Sequence, residues 1–135
     1  MCGEVLLLQK KAMRTLTSAK HLDHCRPIFR RLGILTVYGQ YVLNSLLYVK
    51  NNQQNFTQRQ DVHNYNTRGA KALNIPKCRL SKSQKCFPVA ALKLFNSLPE
   101  EKKALNSLKF RSEIYNKLIE RPLYSLTELD ATPLF

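Results

Sequence analysis

The chain has 135 residues, enough for one small domain or two very small subdomains with a modest core. A hydrophobic fraction of 44% argues against wholesale disorder. Lys and Arg number 22 against 9 Asp and Glu, a net charge of +13, which draws a polyanion: nucleic acid, an anionic membrane or an acidic protein.

Glu4 to Thr17, "EVLLLQKKAMRTLT", predicts a helix. Val5, Leu8, Ala12 and Leu16 recur at helical spacing, and Lys10, Lys11 and Arg14 fall largely elsewhere. The longest early apolar run, Val5 to Leu8, is too short for a signal-peptide core or a membrane span, so no membrane partner is expected. No export signal is visible, so the four cysteines are expected as reduced thiols in an intracellular setting, cytoplasm or nucleus.

After a polar break, Pro27 suits the first turn of a short helix, "RPIFRRL", and Gly33 suits its stop. Thr36 is placed to cap the next helix, "VYGQYVLNSLLYVKN", with Tyr38, Tyr41, Val42, Leu46 and Val49 as its apolar stripe. Asn51 to Gln60 is Asn- and Gln-rich and reads as a loop. A basic stretch follows. Leu73, Ile75 and Leu80 alternate in fragments, compatible with a short β-hairpin that Pro76 would confine to an edge.

Pro88 opens a second apolar segment, with Val89, Leu92 and Phe95 on one helix face. Pro99-Glu100-Glu101 suits a fresh helix start, with proline in the first turn and carboxylates near the positive end of the dipole. Phe110, Ile114 and Leu118 mark a further helix that Pro122 ends. Ser125 to Glu128 has the spacing of a capping box. The expected fold class is mainly α: a helical segment over 1–50, a polar and basic region over 51–87, and a helical segment over 88–135.

Carboxylates are the scarcest resource. Only Glu4, Asp23 and Asp61 precede Glu100, so no acid cluster presents itself for the hard cations of a polymerase or nuclease. No Gly-rich phosphate loop or nucleophile elbow occurs. His21, His24, Cys25, Cys78 and Cys86 are zinc-type ligands at spacings that match no standard site. No catalytic residue, metal or cofactor is assigned, and the chain is not expected to be an enzyme.

The best candidate site is the stretch itself. Between Asp61 and Glu100 lie seven Lys or Arg residues and no acid. Arg68, Lys71, Lys77, Arg79, Lys82 and Lys85 are candidate phosphate contacts, with Tyr65 a ring to stack on a base; His63 and Phe87 lie beside them. Two alternatives stand beside this. The stretch is a solvated loop, or Tyr65 is buried and Arg68 binds backbone carbonyls as part of a packing motif.

Four phrases then resemble, in order, the segment downstream of the polymerase core in non-LTR retrotransposon reverse transcriptases, nearest the jockey-like elements. They are "LLQKKAMRTLT" (Leu7 to Thr17), "HCRPIFRRLGILTVYGQY" (His24 to Tyr41), "HNYNTRGAKALNIPKCRLSKSQKCF" (His63 to Phe87) and "ALKLFNSLPEEKKALNSLKFRSEIYNKLIE" (Ala91 to Glu120). The likeness spans roughly Val5 to Asp130. It implies a C-terminal fragment whose magnesium-binding palm would lie upstream of Met1; no position here matches the catalytic motif. The expected partner is RNA or an RNA–DNA hybrid, with the absent polymerase domain as a second. The rival expectations are a docking module on that polymerase body, with Phe110, Ile114 and Leu118 as interface, and a relic reading frame without function.

Overall fold

The computed structural model describes residues 2–65 and 67–135. Asn66, inside the Tyr-Asn-Thr-Arg phrase, lies outside the described residues. The chain is mainly helical, as the periodicity implies. The helices are α1 (Cys2–Leu16), α2 (Cys25–Leu32), α3 (Val37–Asn51), α4 (Arg59–Val62), α5 (Ser81–Gln84), α6 (Phe87–Asn96), α7 (Glu100–Lys103), α8 (Ser107–Glu120) and α9 (Thr127–Ala131). No single helix among the described residues is long and apolar enough to cross a membrane.

The residues fall into two compact units. Unit 1 holds the chain up to Leu43 together with Arg111–Leu134; unit 2 holds Asn44–Phe110 and Phe135. The division therefore falls inside α3 and α8.

In unit 1, Met13, Cys25, Ile28 and Phe29 form a buried cluster, with Ala19, Ile34 and Tyr124 packed against it. Gly33 stops α2 in the left-handed region, at φ 62° and ψ 35°. There its N–H reaches Arg30 O and that of Ile34 reaches Phe29 O, pairing carbonyls the helix end would leave open. Thr36 caps α3. Its Oγ1 accepts from Gly39 N at 3.1 Å and donates to Leu123 O at 2.6 Å, so one buried hydroxyl ties the start of α3 to the chain beyond α8. Gln9 completes this corner: its Nε2 donates to Leu35 O at 2.8 Å and its Oε1 accepts from Val37 N at 3.0 Å.

Two expectations for unit 1 need correction. The buried residues of α1 are Leu6 and Met13, whereas Val5, Leu8, Ala12 and Leu16 are exposed. The helix has more apolar positions than unit 1 covers. Two polar neighbours select the inward face: Gln9, with its bonds to Leu35 and Val37, and Lys10, whose Nζ lies 3.7 Å from the Tyr124 ring centroid. The capping box at Ser125 also does not form. Leu126 takes the N-cap position of α9, and the Glu128 carboxylate accepts from Tyr124 N at 3.0 Å and pairs with Arg26 at 2.8 Å. The Tyr124 pKa lies above the usual tyrosine value, first because burial disfavours the phenolate.

In unit 2, Val89, Leu92 and Phe95 are buried as the α6 periodicity requires, with Pro88 in the first turn. Phe95 and Phe110 lie with ring centroids 6.1 Å apart. Pro99 sits at the N-cap of α7, one position ahead of the expected first turn, with Glu100 and Glu101 following. Phe110 in unit 2 and Ile114 and Leu118 in unit 1 are all fully buried, so these three are core rather than the expected docking surface.

Thr36 offers the direct test of unit 1. Thr36→Ala removes a cap and strands a buried carbonyl, which costs about 2 kcal/mol. Thr36→Ser keeps the oxygen and should lose less than half as much. Urea midpoints of the two variants, compared at constant m-value, measure the difference.

Candidate nucleic-acid interface

The basic stretch is folded locally in three pieces, all in unit 2. The first is a turn. Ala70 N donates to Thr67 O and Ala72 N to Gly69 O, both at 3.0 Å, so the chain doubles back where Arg68 and Lys71 sit. The returning arm of this turn runs antiparallel to residues 57–60. Arg59 N donates to Ala72 O at 2.9 Å, Gln60 N to Ala70 O at 3.0 Å and Asn74 N to Thr57 O at 2.8 Å. The only ladder contact among the described residues is the isolated bridge Gln58↔Leu73. The alternation Leu73, Ile75, Leu80 thus gives one paired position and no strand. Leu73 is buried, Ile75 is half-buried and Leu80 is an exposed N-cap of α5.

The second piece, carrying Lys77 and Arg79, has no helix or strand. The third is α5, which holds Lys82 and ends at Lys85. It is fastened by Gln84, whose Nε2 donates to Cys78 O at 2.9 Å. Lys82 is therefore helical, inside the region over 51–87 that the sequence reading set apart from the helical segments.

Asn96, near the end of α6, holds the turn in place. Its Oδ1 accepts from Leu73 N at 3.0 Å and its Nδ2 donates to Leu73 O at 2.9 Å. A primary amide offers one donor and one acceptor side by side, which matches a single residue's backbone pair. Below this contact is a cavity of about 190 Å³, lined by Gln58, Lys71, Glu100 and Lys103 among others. Lys103 Nζ is held by Glu100 at 2.8 Å and Asn96 O at 3.3 Å.

Arg68, Lys71, Lys77, Arg79, Lys82 and Lys85 are all exposed, and the side chain of none forms an ion pair or hydrogen bond with another described residue. Tyr65 is 79% exposed. The packing alternative, with Tyr65 buried and Arg68 bonded to carbonyls, is therefore corrected for the described residues: the ring is out and the guanidinium is bonded to none of them. Steric and backbone demands in this turn are met by Leu73, Ala70 and Asn96 instead.

Two features escaped the sequence reading. Arg59 lies across the turn, since a Cβ on Gly69 would come within 3.2 Å of its Nη1. Its place beside Asp61 in a polar run gave no signal, because the pairing of 57–60 with 70–74 is what brings it there. The other is a group of rings: Tyr48 lies 5.2 Å from Phe87 and 6.3 Å from Phe56, centroid to centroid. Tyr48 had been assigned no role.

The zinc-type residues are dispersed. Cys25 is buried with Lys10 O at 3.8 Å, Cys78 is half-buried, and Cys2 and Cys86 are exposed; all four are free thiols. Among the described residues no three His, Cys, Asp or Glu side chains stand close enough to share a metal ion. Compared with known proteins, the chain matches no family model, no curated protein and no solved structure.

Asn96→Ala should loosen the turn before it unfolds the unit, because it strands both partly buried backbone groups of Leu73. Limited proteolysis should then cut between His63 and Lys85 faster than in the parent protein, with helix content by circular dichroism little changed. Equal cutting rates would show that the amide pair does not anchor the segment.

Proposed function

We propose that this chain is a non-catalytic nucleic-acid-binding module. In this reading it is the C-terminal part of a non-LTR retrotransposon reverse transcriptase that contacts RNA or an RNA–DNA hybrid. One observation carries the reading: Arg68, Lys71, Lys77, Arg79, Lys82 and Lys85 are exposed, unpaired among the described residues, and uninterrupted by any acid. Cations that nothing in the fold neutralises are available to displace counterions from phosphates. Elsewhere some acids pair with bases, as in Glu100–Lys103, Lys117–Glu120 and Arg26–Glu128. The colinear resemblance of four phrases supports the family context.

The test separates a site from bulk charge. Replacing Lys77, Arg79, Lys82 and Lys85 together by Gln removes four candidate contacts. The slope of log affinity against log salt for a single strand should flatten by about 3, at about 0.7 per phosphate contact. Lys10 and Arg14 are poor controls, because Lys10 stacks on Tyr124 and Arg14 donates twice to Asp23 O. Arg30, Arg31, Lys109 and Arg111 are exposed and serve better. Their replacement by Gln should flatten the slope by less than half as much. Equal effects per charge would leave only the net +13 at work.

A second reading rests on α1. Val5, Leu8 and Ala12 border a groove of about 710 Å³ with Leu35, Val37 and Tyr41, and Leu8 is 64% exposed. A docking module would present such a face to an apolar partner, here a polymerase body. Under this reading, Val5→Asp with Leu8→Asp raises the concentration at which the isolated protein aggregates and leaves its circular dichroism unchanged. Loss of helix in that variant would make these residues part of the fold instead.

A further inference from the structure

The rings found beside the basic segment have no role in phosphate contact, and they narrow the ligand. Tyr48 and Phe87 touch at 5.2 Å between centroids, yet remain 43% and 40% exposed. Phe56 closes the group edge-on to Tyr48, at 6.3 Å and 68° between planes. Isolated exposed apolar residues are ordinary on protein surfaces. Two adjoining rings left open to solvent, one of which directly follows a run of charges all of one sign from Arg68 to Lys85, are a different arrangement. Phe87 is the first residue of α6, and Lys85 precedes it by two positions, at the end of the turn that carries Lys82. The rings therefore lie next to candidate phosphate contacts.

This geometry points to a binding platform for an unpaired nucleobase. Resting on the phosphate-contact reading above, we propose that Tyr48 and Phe87 stack on bases of a single strand whose phosphates lie on Lys82 and Lys85. The ligand class is thereby single-stranded nucleic acid rather than a hybrid duplex. Within a duplex each base face is already covered by its neighbours, so a flat protein ring finds no free face there. The charge argues against an apolar protein segment as occupant: no acid lies between Asp61 and Glu100, and exposed Lys82 and Lys85 shortly precede Phe87 in the chain. Stacking is indifferent to sequence, since every base has a π face, so the platform sets strandedness and not base identity.

The experiment uses the full chain and three RNA probes of equal length: a mixed-sequence single strand, a single strand of abasic residues with the same phosphates, and a duplex. The single strand should bind about tenfold more tightly than the abasic strand, the size of effect that one stacked base supplies. Tyr48→Leu with Phe87→Leu keeps apolar bulk and removes the π faces. It should bring the single strand down to the abasic level, with abasic and duplex binding unchanged. Equal affinity of the unmodified protein for the single strand and the abasic strand overturns the platform, and needs no variant. If abasic binding then still weakens steeply with salt, the phosphate reading stands without it. A double variant that weakens all three probes by one factor also overturns the platform, and absence of binding to any probe overturns both readings.

Discussion

The amide of Asn96 and the backbone of Leu73 hold each other at two points, 3.0 and 2.9 Å. The basic segment of unit 2 depends on this contact, because its other fastenings are backbone bonds to 57–60 and within its own turns. The stretch from Arg68 to Lys85 offers few apolar side chains to a core, and like charges along it repel. A chain of that kind stays open unless its backbone is fastened by other means. Leu73 supplies one buried side chain and one backbone pair, and Asn96 meets the pair from a helix that Val89, Leu92 and Phe95 have already anchored. The antiparallel bonds from 57–60 to 70–74 then follow from a turn held at one place. Because no side-chain cation is used in this scheme, the cations remain outside.

The anchoring also explains how a stretch with little hydrophobic content stays beside a well-packed one. Helices α6 and α8 bring their apolar stripes inward through periodicity alone. The basic segment is carried by hydrogen bonds, each contributing on the order of 1 kcal/mol. Its local stability is therefore lower than that of the helices around it, and its conformation is the more easily adjusted by a bound polyanion.

Much of the helical layout could be read from local signals. Gly33 stops α2, Thr36 caps α3, Pro88 lies in the first turn of α6, and the i, i+4 series Phe110, Ile114, Leu118 is buried throughout. Each of these depends on a residue's own backbone preference or on a single dominant stripe. The failures came where two signals competed. On α1 two apolar sets are present, and the choice between them is made by Gln9 and Lys10 through partners more than twenty-five residues away in Leu35 and Tyr124. At Glu128 the expected cap lost to Arg26 and to Tyr124 N, again a distant competitor in Arg26. The candidate site divides the same way. The cations were visible because acids are missing around them; Arg59 and the Tyr48–Phe87 pair were not, because only chain pairing and tertiary packing bring them near.

Unit 1 draws on both sides of unit 2 in the sequence, and this has a consequence for the order of events during synthesis. Thr36 cannot meet Leu123 until 87 further residues have been added. Translation at roughly 5–20 residues per second makes that an interval of about 4–17 s. Unit 2, almost wholly contiguous from Asn44 to Phe110, is complete before the interval ends. Throughout it, α1, α2 and the first part of α3 lack the 111–134 portion of unit 1, and the nascent chain carries more open apolar surface than the finished protein. Whatever rescues it from aggregation in those seconds acts on the N-terminal third, and the basic segment gains its Asn96 anchor only late in the same interval.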